Sequence, residues 1–138
     1  DRDKVVVFDI NKMLDIKGES GAYILYSYAR AANIIHKAGE YGKPPLKLDA
    51  LNDADKMLIN HLLKFRYSLY LSAISLEPKI LCRYLYELAK VFNDFYEKNP
   101  VIKAEDDVKN SRLLITNAFM KVMEKSSLLL GLPLVTRM

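Results

Sequence analysis

Tyr23, Tyr26, Arg30, Asn33 and Lys37 follow one another at spacings of three, four, three and four residues, the interval that brings side chains onto one face of an α-helix. Two phenol rings, a guanidinium, an amide and an ammonium in one row suit single-stranded nucleic acid, whose bases stack on aromatics while its phosphates attract cations. A stacked base is worth about 1–3 kcal/mol, and a guanidinium such as that of Arg30 has the fork to hold a phosphate through two parallel hydrogen bonds. The same row also fits a helix whose tyrosines are half-buried and whose Arg30 and Lys37 keep its outer face wet. Spacing alone leaves both readings open.

Other chemistry has few candidates. Neither a Gly-x-x-x-x-Gly-Lys-Ser/Thr loop nor a Gly-x-Gly-x-x-Gly turn is present, so no phosphate cradle of those kinds exists in this stretch. Cys82 is the only cysteine, with His36 and His61 as the only histidines. No internal disulfide is possible, and a structural zinc site is out of reach without a partner chain. Cys82 falls beside an apolar helical stripe, where a buried, inert thiol is the expectation. Glu105, Asp106 and Asp107 read as a solvated acidic turn, because nothing nearby supplies the further ligands of a calcium loop. No catalytic, cofactor-binding or metal-ligating residue is therefore assigned.

The elements that must position the tyrosine row are mostly helical. Lys4 to Phe8, followed by Asp9 to Leu14, reads as a strand or extended segment leading to a turn at Gly18. Ser20 or a neighbour caps a first helix from about Gly21 to His36, which Gly39, Gly42, Pro44 and Pro45 close. A second helical region is expected from Asn52 or Asp53 through Met57, Leu58, Leu62, Phe65, Leu69 and Ile74. Pro78 opens a third, with Ile80, Leu81, Tyr84, Leu85, Leu88, Phe92 and Phe95 as its apolar stripe and Asn99-Pro100 at its end. The fourth runs from about Val108 to Leu130 and stops at Gly131, two residues before Pro133. The expectation is an all-α bundle of about four main helices with a short extended segment at the amino end. Tyr84 and Tyr86 are expected to pack.

Size and composition agree with one such domain. The 138 residues are 51% hydrophobic and 28% charged, close to soluble globular averages, which excludes a disordered or fibrous chain. The longest apolar runs are far short of the roughly 20 residues that span a bilayer, so no membrane contact is expected. No signal-peptide apolar region follows Asp1-Arg2-Asp3-Lys4, and the expected compartment is the cytoplasm. A net charge of +4 tolerates a polyanionic partner without requiring one.

Three segments carry a resemblance. KMLDIKGESGAYILYSYARAANI, Lys12 to Ile34, resembles the region of arginyl-tRNA synthetases that joins the class I catalytic domain to a helical anticodon-binding domain of the DALR type. EPKILCRYLYELAKVFNDFYEKNPVI, Glu77 to Ile102, is similar to that family's proline-led helix ending in Phe-Asn-x-Phe-Tyr and followed by valine. RLLITNAFMKVMEKSSLLLGLPLVTRM, Arg112 to Met138, resembles its last helix and its Leu-Gly-Leu…Arg-Met terminus. Two departures are Gly18 to Tyr23, which reads GESGAY where many members have Gly-Asn-Thr-Gly-Pro-Tyr, and the letters Asp-Ala-Leu-Arg, which do not occur.

The resemblance implies residues 1–19 as the tail of a catalytic domain or a linker, and 20–138 as the helical anticodon-binding domain. It implies a C-terminal piece of an arginine–tRNA ligase that recognises the anticodon stem-loop of tRNA(Arg) beside the catalytic domain of the same parent chain. The His-Ile-Gly-His-like and Lys-Met-Ser-Lys-Ser-like motifs are absent, so ATP, with Mg, is implied only for the parent and this piece is expected to be inactive. The family's tRNA-contacting positions fall on Tyr23, Tyr26, Arg30, Tyr96 and Met138. Arg112, Lys121 and Lys125 are solvent-facing phosphate contacts if they lie on the same side as Arg30. A stand-alone helical RNA-binding module and a protein-interaction module are the alternatives.

Overall fold

The computed structural model describes residues 9–13, 20–42 and 46–136. Its helices are α1 (Ile10–Met13), α2 (Gly21–Ala38), α3 (Asp53–Leu63), α4 (Phe65–Ile74), α5 (Pro78–Lys98) and α6 (Asp106–Leu130), with a 3-10 turn at Leu48–Ala50. The all-α bundle expected from the sequence is observed. The Lys4–Phe8 strand and the Gly18 turn lie outside the described residues.

Terminal residues explain most of the boundaries. The Ser20 hydroxyl accepts from Tyr23 N–H at 3.2 Å and opens α2, and Gly39, at φ 66°, ends it. Asn52 and Asp55 form a reciprocal capping box at the start of α3. Pro78 occupies the first turn of α5, where its missing N–H costs no hydrogen bond. Asp106 and Asp107 start α6 two residues earlier than the apolar pattern suggests, since carboxylates favour the positive end of a helix dipole. Gly131 ends α6 in the left-handed conformation.

Two expectations need correction. Ile10–Met13 is a helical turn, not extended chain, because the Asp9 carboxylate accepts from Asn11 N–H at 2.9 Å and caps it. The second helical region is broken at Lys64. There the His61 carbonyl accepts from Lys64 N–H at 3.2 Å and from the Tyr84 hydroxyl, also at 3.2 Å. A side chain inserted into the backbone ladder ends one helix and tilts the next. Burial of Tyr84 in this position pushes its phenol above the ordinary range.

The long helix α5 is the hub, packing against α2, α3, α4 and α6. Leu85, Leu88, Phe92 and Phe95 face inward from it. Phe92 stacks on Phe119 of α6 with centroids 4.0 Å apart, and burial of each such side chain contributes about 1.5–3 kcal/mol. Tyr28 of α2 reaches α6, its hydroxyl donating to Glu124 Oε1 at 2.7 Å. Burial, then the Glu124 hydrogen bond, push this phenol up to about 12.

One polar cluster lies within this apolar frame. Arg112 of α6 donates from Nε to Asp55 Oδ1 at 2.9 Å and from Nη2 to Asp55 Oδ2 at 3.0 Å. Asp55 is fully buried and Arg112 nearly so. The guanidinium also donates to Pro100 O at 3.0 Å and to Asn99 Oδ1 at 3.1 Å, while Asn52 Nδ2 donates to Asn99 Oδ1 at 2.6 Å. Removing one partner of such a pair leaves an uncompensated buried charge, at about 3–5 kcal/mol. Arg112→Met is therefore expected to lose about that much stability in urea unfolding. A loss below about 1 kcal/mol, the usual worth of an exposed pair, would show that the pair does not hold the bundle together.

Candidate nucleic-acid interface

Along α2 the helical repeat puts Tyr26, Arg30 and Asn33 on one face, and the last turns of α5 bring Tyr96 to it. The Arg30 guanidinium lies between two rings, with Cζ 4.6 Å from the centroid of Tyr26 and 4.7 Å from that of Tyr96. Its Nη2 donates to the Tyr26 hydroxyl at 2.9 Å and its Nη1 to Asn93 Oδ1 at 3.0 Å. Asn93 is buried on α5 and donates from Nδ2 to Ser27 Oγ at 2.8 Å, and Ser27 in turn donates to Tyr23 O at 2.8 Å. These hydrogen bonds orient the guanidinium, and its two cation–π contacts restrain the rings beside it.

A cavity of about 760 Å³ opens beside this sandwich. Tyr26, Arg30, Asn33, His36 and Tyr96 line it, Ala29 and Ala32 add small side chains to its wall, and Thr136 reaches it from the segment after α6. Flat aromatic faces, an amide, an imidazole and a fixed cation around an open space suit a planar heterocycle with donors and acceptors on its edge. Tyr96 is 40% exposed, which leaves ring surface for stacking.

Three of the five expected site residues, Tyr26, Arg30 and Tyr96, thus meet. Tyr23 stands apart: its ring tilts against Tyr86 at 5.5 Å and 52° and is not among the cavity walls. Met138 lies outside the described residues, two positions beyond Thr136. The structure adds to one reading and corrects two others. Arg30 already donates once from each Nη, to Asn93 and to the Tyr26 hydroxyl, and it lies against two rings, a bracing role that spacing alone did not show. Arg112 is buried against Asp55 and is no solvent-facing phosphate contact, whereas Lys121 and Lys125 are exposed. Cys82 is exposed, contrary to the expectation of a buried thiol, because it falls just outside the inward arc of Leu81, Tyr84 and Leu85. Tyr84 packs as expected, buried between His61 and Phe65.

Sequence reasoning missed Asn93 and Thr136. Asn93 carried a usable signal, since it sits four residues after Ala89 and eight after Leu85 on the buried face. A buried amide there needs a specific partner. Among the described residues no three His, Cys, Asp or Glu side chains cluster as metal ligands, and no helix is long and apolar enough to cross a membrane.

Comparison with known proteins agrees with this geometry. The profile of the DALR anticodon binding domain matches residues 24–138. The arginine–tRNA ligase of Trichodesmium erythraeum is 38% identical over 136 residues, 96% of this chain and 23% of that ligase. The arginine–tRNA ligase of Pyrobaculum aerophilum is 36% identical, over 98% of this chain and 21% of its own length. The structure of Thermus thermophilus arginyl-tRNA synthetase superposes with a TM-score of 0.89 at 29% identity, covering 95% of this chain and 23% of that one. The chain belongs to the DALR anticodon-binding domain family of arginyl-tRNA synthetases. It spans roughly a quarter of the length of the relatives it matches.

The brace on the two rings has a measurable signature. Arg30→Lys keeps the charge but not the planar fork, so the near-ultraviolet circular dichroism of the tyrosines should weaken and stability should fall by about 1–2 kcal/mol. Unchanged tyrosine dichroism would mean that the rings are held by something other than the guanidinium.

Proposed function

We propose that the chain is the tRNA-reading part of an arginine–tRNA ligase and that the Tyr26–Arg30–Tyr96 cavity receives an unpaired base of the tRNA(Arg) anticodon loop. The observation that carries this reading is the sandwiched guanidinium beside a cavity about 760 Å³ in volume. A loop base that leaves its own stack loses stacking energy, and a preorganised aromatic face returns about 1–3 kcal/mol of it. Fixing the rings in advance reduces the ordering cost of binding. Asn33 and His36 present hydrogen-bonding groups toward the edge of the base.

Tyr23 takes part through its packing on Tyr86 at the head of α2, and the Met138 thioether is a further contact to the loop. Lys121 and Lys125 meet stem phosphates, which adds salt-sensitive affinity without sequence information. Residues 20–138 form the reading domain, and residues 1–19 are the tail of the catalytic domain or a linker to it. ATP, with Mg, is a substrate of the larger ligase in the cytoplasm, and no residue named here is assigned to it.

A second contact is supported by α4. Tyr67, Tyr70, Ile74 and Leu76 are all at least 60% exposed, and Leu76 holds a positive φ of 54° where glycine is usual. Such a surface suits protein more than phosphate. The catalytic domain of the parent chain is its proposed partner, and the same face would serve if the domain acted as a protein-interaction module.

Tyr26→Ala is expected to weaken binding of a tRNA(Arg) anticodon stem-loop by about 1–3 kcal/mol, measured by fluorescence anisotropy on a folded variant. Equal affinity for wild type and variant would remove Tyr26 from the interface. Failure of the wild type to bind at low salt would point to the protein-interaction reading.

A further inference from the structure

A second cavity, of about 350 Å³, adjoins the first. Asn33 and Tyr96 line both, so these two side chains form the wall between neighbouring chambers of one groove. The second chamber adds Lys37 from the end of α2 and Lys103 from the loop after α5. Both lysines are exposed. Among the described residues neither has an acidic partner within ion-pair distance. Glu97 lines the chamber too, but its carboxylate lies 3.8 Å from Arg30 Nη1, where it answers the guanidinium.

The floor of this chamber is held from beneath. Asn99 and Val101 are buried. Arg112 binds the Asn99 side chain and the Pro100 carbonyl at 3.1 and 3.0 Å. The loop carrying Lys103 is thereby tied to the buried ion pair, and Lys37 stands on a helix. Two cations on supported backbone beside an aromatic ring match the repeating unit of a single strand, which alternates a planar base with a phosphate.

We propose that the second chamber seats the nucleotide adjoining the one held at Tyr26 and Tyr96, with its phosphate between Lys37 and Lys103 and its base facing Asn33. This inference rests on the RNA-reading function proposed above and extends it to a two-nucleotide groove. Direction follows as well: the strand passes from the α2–α5 cavity over Tyr96 toward the loop after α5.

The test is a titration of the chain with a tRNA(Arg) anticodon stem-loop transcript at several salt concentrations. It compares wild type, the double variant Lys37→Gln/Lys103→Gln, and Lys56→Gln/Lys64→Gln, which removes the same charge from α3 and the residue that follows it. Single-stranded contacts contribute a slope of about 0.7 per phosphate neutralised. The groove variant should bind roughly tenfold more weakly, and its slope of log affinity against log salt should shrink by about 0.7, the share of one phosphate. The α3 variant should stay near the wild type. Equal losses in both double variants would reduce the effect to net charge and overturn the second seat, as would an unchanged slope in the folded groove variant. If wild type itself shows no binding at low salt, the RNA-reading function fails and the second seat falls with it. Wild-type binding with an unaltered groove variant removes the second seat alone.

Discussion

The bidentate pair between Arg112 and Asp55 is the constraint on which the rest of the arrangement depends. Taking both charges out of water costs several kcal/mol per ion, and attraction offsets this only when every remaining donor and acceptor is satisfied. Here they are: Asp55 also accepts from Asn52 N–H and from Asn99 Nδ2, and Arg112 also donates to Asn99 and Pro100. The cluster ties the start of α3, the end of α5 and the first turns of α6 into one joint. Apolar packing tolerates small slips of one helix along another, whereas a satisfied buried fork fixes the register. Because Asn99 follows Lys98 at the end of α5, that register also sets where Tyr96 stands relative to α2.

From this joint the geometry passes to the interface through a second fork. Arg30 meets Asn93 and Tyr26 by hydrogen bonds and Tyr26 and Tyr96 by ring contacts. The guanidinium thus links the two phenols, its Cζ 4.6 Å from one centroid and 4.7 Å from the other. Rings held in this way would lose little freedom to the base proposed to stack on them, since a preorganised surface reduces the ordering cost of binding. The exposed α4 face has no comparable bracing. Tyr67 and Tyr70 have open rings, with one charged residue, Arg66, between Phe65 and Leu76, a composition suited to contact with protein.

Much of this was legible in the residues. Capping by Ser20 and Asn52, the proline at 78 and the glycines at 39 and 131 fixed helix ends to within about two residues, because each satisfies a local backbone requirement. The row at Tyr26, Arg30 and Asn33 followed from helical periodicity. What periodicity could not give was partnership across the bundle. Arg112 looks like any basic residue on a long helix until Asp55, 57 positions away in sequence, is folded onto it. Tyr23 shares the row but turns to Tyr86, because α5 presents a ring at that level and a guanidinium contact at the next. The break at Lys64 likewise depends on Tyr84, a residue of another helix. Tertiary contacts decided each of these cases, and local pattern carries no record of them.

In the function proposed above, an unpaired RNA loop lies over the α2–α5 cavity and not over the tyrosines of α4. Photocrosslinking from 4-thiouridine placed in the anticodon loop of a tRNA(Arg) transcript, followed by peptide mapping, tests it most directly. The account predicts crosslinks confined to the Tyr26–Lys37 stretch, the surroundings of Tyr96 and the segment near Thr136. Crosslinks that map instead to Tyr67 and Tyr70 would contradict it.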